Sequence, residues 1–172
     1  AAKVIGLEFG DFYRLDLYRE EISAARYQKL KQNCWRRFND FLTGLEKVRI
    51  VKPFKLVVVC PSVSKEDLVS KNLLTPVIIN SPGFPPGLLT SGTTKWPGLV
   101  ANIDLLPTLL KLANIQTNYR LVGGVITVKP ARDYLNRLYG LHRRLIICNL
   151  NQRRILDWYM GLISVGWIMG LL

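Results

Sequence analysis

Histidine is nearly missing from this chain: one residue, His142, in 172. Nucleophilic triad chemistry needs an imidazole oriented by a carboxylate. His142 instead sits beside Arg143 and Arg144, which reads as a surface position, so no catalytic residue is assigned. Cysteine is scarce as well. Cys34, Cys60 and Cys148 are far apart and form no CxxC pair, which with a single histidine excludes a zinc cluster. An odd number of them excludes a disulfide framework, and Cys34 and Cys60 are expected to be small apolar fillers. Acidic residues are half as common as basic ones, 12 against 24. Asp11, Asp16 and Asp104 match no metal-ligand spacing, so no metal or other cofactor is expected from the residues. Phosphate cradles are absent too: Gly83, Gly87 and Gly92 build neither GxxxxGK[ST] nor GxGxxG.

The resulting charge of +12 invites a nucleic-acid partner. However, Arg36-Arg37, Arg143-Arg144 and Arg153-Arg154 are isolated pairs with no recognition motif, so no nucleic acid is expected. Solvated helix faces account for most of the basic residues, and an anionic membrane surface for the next share. A hydrophobic fraction of 49% with 21% charged residues is that of a folded chain.

The stretch from Leu73 to Ile115 organises the rest. Thr75 to Asn80 is an apolar β-branched strand stopped by Ser81-Pro82-Gly83. A turn-rich loop follows, carrying the hydroxyls of Thr90, Ser91, Thr93 and Thr94 and the ammonium of Lys95. Those five residues could make a weak anion or ligand contact. Asp104 is expected to cap a helix over Leu105–Ala113, with Pro107 in its first turn, where the missing N–H costs nothing. Upstream, Val4–Phe9 and Lys55–Cys60 read as buried strands. Between them Ala24, Tyr27, Leu30, Cys34, Phe38, Phe41, Leu42 and Leu45 trace a helical stripe from Ser23 to Glu46. The uninterrupted valines of the second strand suit a parallel sheet covered on both faces. Lys65–Asn72 is a polar link. Leu121–Val128 is a hairpin arm or a loop, and Pro130 opens a helix over Ala131–Leu150.

Trp158–Leu172 is apolar and uncharged over 15 residues, short of the roughly 20 that span a bilayer. It can be a helix docked on a core or a truncated transmembrane helix. The all-round apolarity and the aromatics Trp158 and Tyr159 favour the second. With no signal peptide or initiator methionine at Ala1-Ala2-Lys3, the sequence is expected to be a piece of a longer protein.

Asp104-Leu105-Leu106-Pro107-Thr108-Leu109-Leu110, ending in Leu112-Ala113-Asn114-Ile115, resembles the D-[IL]-x-P-T-[IL]-L helix start and LAGI ending of the alkaline phosphatase/sulfatase-like superfamily. The loop from Thr90 to Asp104 is similar to the T-S-x-[ST]-T-[RK]-x-P-G-L-V-x-N-x-D stretch of a group of bacterial multi-pass membrane proteins that carry such a domain. The likeness covers roughly residues 1–115. It implies the C-terminal half of an alkaline-phosphatase-like α/β sandwich, a mostly parallel sheet covered by helices. The expected organisation is then residues 1–128 as that domain, 129–154 as a basic linker helix and 155–172 as a truncated transmembrane helix. The resemblance also places the family's metal ligands at Leu7, Asp11, Pro61 and Ser62, and these side chains do not make such a site. The expected function is therefore a non-catalytic ligand-binding or organisational domain of an integral membrane protein, facing outward from the membrane. The alternative is a zinc- or manganese-dependent phosphatase, sulfatase or phosphotransferase whose nucleophile lies outside this sequence.

Overall fold

A computed structural model describes residues 4–171, without the side chains of 153, 154, 165 and 168–171. The expectations for Ala1-Ala2-Lys3 and Leu172 lie outside these residues. The chain is mixed α/β, with five helices and four short strands among the described residues.

Val4–Phe9 is not a strand. Val4, Ile5 and Leu7 are exposed and, among the described residues, have no neighbouring strand to pair with. Phe9 instead joins Phe12, Trp35, Phe38 and Phe41 in an aromatic cluster with ring centroids 4.8–6.2 Å apart. That cluster fastens helix α1, Asp11–Leu17, to helix α2, Ala24–Val51. Ser23 caps α2 as the sequence predicts, its hydroxyl accepting from the Arg26 N–H at 3.4 Å. The helix does not fray at Gly44. It runs on to Val51 and stops at Lys52, where Pro53 disfavours a further helical residue. Its last turns reach the sheet, because Arg49 donates to Asn80 Oδ1 at 2.6 Å and Asn80 donates back to Glu46 at 3.2 Å.

Strand β1, Leu56–Val59, and strand β2, Val77–Asn80, form the first pair. The second is strand β3, Gly87–Thr90, with strand β4, Thr127–Pro130. Both pairs are antiparallel, with Leu56 opposite Asn80 and Gly87 opposite Pro130, which corrects the expected parallel sheet. Between β1 and β2 the regular element is helix α3, Lys65–Val69. Cys60, past the end of β1, is exposed rather than a core filler, and its thiol donates to the Ser62 carbonyl at 3.0 Å.

Helix α3 replaces the expected polar link. Its signal is Ser64-x-x-Asp67: the serine hydroxyl accepts from the Asp67 N–H at 3.1 Å and donates to the Asp67 carboxylate at 2.6 Å. Helix α4, Leu105–Leu112, ends within a residue of its expected limit. Asn114 follows at φ 55°, in the left-handed region a helix C-terminus favours. Asparagine tolerates this conformation. Pro130 closes β4 rather than opening a helix. Helix α5 begins at Tyr134 and continues unbroken to Leu171, so the expected linker and tail are one helix. Among the described residues no helix is long and apolar enough to cross a membrane.

The buried apolar side chains are Leu15, Tyr27, Leu88 and Ile126. Leu88 lies on β3 and Ile126 just before β4, and the Ile126 N–H reaches a buried polar group formed by Ser91, Asp104 and Thr108. The centre of the fold is therefore polar as much as apolar.

Candidate functional site

The loop from Ser91 to Asp104 leaves β3 and returns through a short 3-10 turn, Asn102–Asp104, into α4. Asp104 is wholly buried. Its carboxylate accepts four hydrogen bonds. Ser91 Oγ at 2.6 Å and the Ala101 N–H at 2.9 Å reach Oδ2, and Thr93 Oγ1 at 2.6 Å and the Gly124 N–H at 2.9 Å reach Oδ1. Burial by itself would raise this carboxyl's pKa. The two hydroxyls and two amides outweigh it and hold the group below the usual carboxylate range.

Asp104 is thus not a cap of the α4 amides, as its position in sequence suggests. Its side chain makes no hydrogen bond into that helix and points back at Ala101, the residue before the 3-10 turn. The reason is supply: Ser91 and Thr93 offer shorter, hydroxyl donors, and the buried carboxylate takes those. Thr108 continues the arrangement. It donates to the Asp104 carbonyl at 2.5 Å and accepts from the Ile126 N–H at 2.9 Å. The Gly123-Gly124 turn fits only because it lacks side chains, since a Cβ on Gly123 would collide with the Ile103 carbonyl.

Of the five residues expected to contact an anion, the structure brings Ser91 and Thr93 to Asp104. Thr94 donates to the Leu99 carbonyl at 2.6 Å, and Thr90 ends β3. Lys95 is exposed at φ 60°, its amide closing the turn onto the Ser91 carbonyl at 3.0 Å. Two of the four hydroxyls, Ser91 and Thr93, donate to a negative charge, and a third, Thr94, to a carbonyl. Sequence reading missed Ala101, Thr108 and Gly124 as partners; the Gly-Gly pair was the available signal for the last.

The positions that the resemblance assigns to metal ligands do not fit a divalent cation. Leu7 is exposed, and Pro61 and Ser62 are exposed at the end of β1. The Asp11 carboxylate is paired with Arg14 and, at 2.8 Å, with Arg37. Among the described residues no group of three or more histidines, cysteines and acids could hold a metal.

His142 is half-buried rather than free on the surface, its Nε2 lying 3.1 Å from Asn72 Oδ1. Asn72 donates its Nδ2 to Asp67 at 2.9 Å. The Ser64 hydroxyl leads the effects holding Asp67 below the usual carboxylate range, ahead of the opposing burial. An ionised carboxylate only accepts, so the Asn72 amide must face it, which leaves Oδ1 for His142 and makes Nε2 the donor. With Asn149 donating to the Lys71 carbonyl at 2.7 Å, this relay ties α5 to the end of α3. No hydrogen bond joins His142 to Ser64 among the described residues, so the imidazole is not placed as a base for that hydroxyl.

Comparison with family models, with curated proteins and with solved structures finds no match to this chain.

Proposed function

We propose that this chain is a non-catalytic, organisational α/β unit of a bacterial integral membrane protein, similar to the C-terminal half of an alkaline phosphatase/sulfatase-like domain and facing outward from the membrane. The observation that carries this reading is the Asp104 clasp. The most family-like loop spends its hydroxyls and its one buried carboxylate on each other, so it serves to lock β3, α4 and the Gly123-Gly124 turn together. Such a loop holds shape instead of receiving a ligand. Asp11 supports the same reading, since two guanidinium groups already neutralise the only acid at a ligand position.

Calorimetric titration of the protein with zinc and with manganese tests it, alongside hydrolysis of a generic phosphate monoester. The expected outcome is no stoichiometric binding and no metal-dependent turnover. Tight one- or two-site binding with turnover would sink the proposal in favour of a metal-dependent hydrolase.

A further inference from the structure

Charge and apolarity are separated along α5. Its 38 residues contain five arginines, at 137, 143, 144, 153 and 154, against one acid, Asp157. From residue 158 onward the helix carries no charge at all. Its described large side chains are exposed: Trp158 is 76% exposed, Tyr159 60%, Met160 61%, Leu162 67% and Trp167 71%. At 100° per residue these positions span about 200° of the helix, wider than a single stripe. A groove that covers one stripe would leave the rest of that arc bare. A second copy would also bring +12 against +12. Lipid surrounds a helix on every side.

We infer that α5 attaches the chain to an anionic lipid bilayer, its arginine half meeting the headgroups and its uncharged half entering the acyl region. This rests on the membrane reading above and adds the partner's chemistry, a negatively charged headgroup layer. The fourteen uncharged helical residues from 158 to 171 reach about 21 Å into a hydrocarbon core of roughly 30 Å. Arg143 and Arg144, both exposed, stand about 20 Å behind Trp158 along the axis and can follow the surface where the helix lies oblique to it.

The test is flotation of the full 172-residue chain with vesicles of phosphatidylcholine alone and with phosphatidylglycerol added, at low and high salt. The expected result is binding that is much stronger with phosphatidylglycerol and weakens with salt. The double variant R143Q/R144Q, which changes only exposed side chains, should lose about 30-fold in partitioning to the anionic vesicles and keep its circular dichroism. Equal binding to both vesicle types, or an unchanged double variant, overturns the headgroup assignment and leaves the membrane reading standing. Binding to neither overturns both.

Discussion

Asp104 shows how a single residue can be an acid by chemistry and a fastener by placement. Four donors converge on a carboxylate with no exposure to water, and removing it would strip all four of this acceptor. Asp104→Asn keeps the size but sets an NH2 group against two existing donors. It should cost about 3 kcal/mol of stability at pH 7 in urea unfolding. The pH dependence follows from the sign of the shift. A carboxyl whose folded pKa is depressed stabilises fully above its unfolded value, about 3.9, and this contribution disappears as pH falls through the folded value. The gap between wild type and Asp104→Asn should therefore narrow below about pH 4. A gap that stays constant into strong acid would show that the carboxylate is not ionised in the fold.

At the scale of elements, the short pieces depend on side-chain closure more than on packing. Helix α3 is only five residues long and has no buried side chain. Isolated helices of that length are unstable, so its order comes from Ser64, Asp67 and the Asn72–His142 link, with the Lys65 N–H donating to Asp16 at 2.9 Å and Glu66 paired with Arg19 and Lys31. Ser64→Ala removes both the cap and the Asp67 partner and should cost about 1 kcal/mol by thermal or urea unfolding. His142→Ala should weaken the same region, and hydrogen exchange at residues 65–72 would speed up in both variants. Protection unchanged in both would mean that α3 is held by something other than this relay. The long elements behave differently. In α2 a Ser23 cap, an apolar stripe and a downstream proline all agree, so the helix is legible in the amino-acid sequence. The fate of Val4–Phe9 and the pairing of the strands are not. A run of apolar residues has the same appearance whether it becomes a strand, an exposed arm or an aromatic anchor; the presence of a partner decides.

At the scale of the whole molecule, the accessible surface is 14,021 Å². A compact monomer of 19.6 kDa is expected to expose about 8,600 Å². Unfolding this chain therefore newly exposes about three-quarters of the surface that a compact chain of the same mass would. The urea m-value should be lower in the same proportion. An m-value typical of a fully compact domain of this length would contradict so open an arrangement. The surface is rich in exposed large side chains on α1, α2 and α5.

The sequence by itself determined the features set by neighbours along the chain. Among these are the long helix from Ser23, the valine strand, the start of α4 at Leu105 with Pro107 in its first turn, and the apolar run beginning at Trp158. These depend on periodicity, capping and proline geometry, all local. Only the tertiary structure decided how strands pair and where Asp104 points. Both pairs are antiparallel, a register set between strands that are distant along the chain. The turn of Asp104 away from its own helix came from Ser91, thirteen residues earlier, and Gly124, twenty residues later. A buried carboxylate takes its strongest available donors, and their identity is set by which distant segments the fold brings within hydrogen-bonding reach.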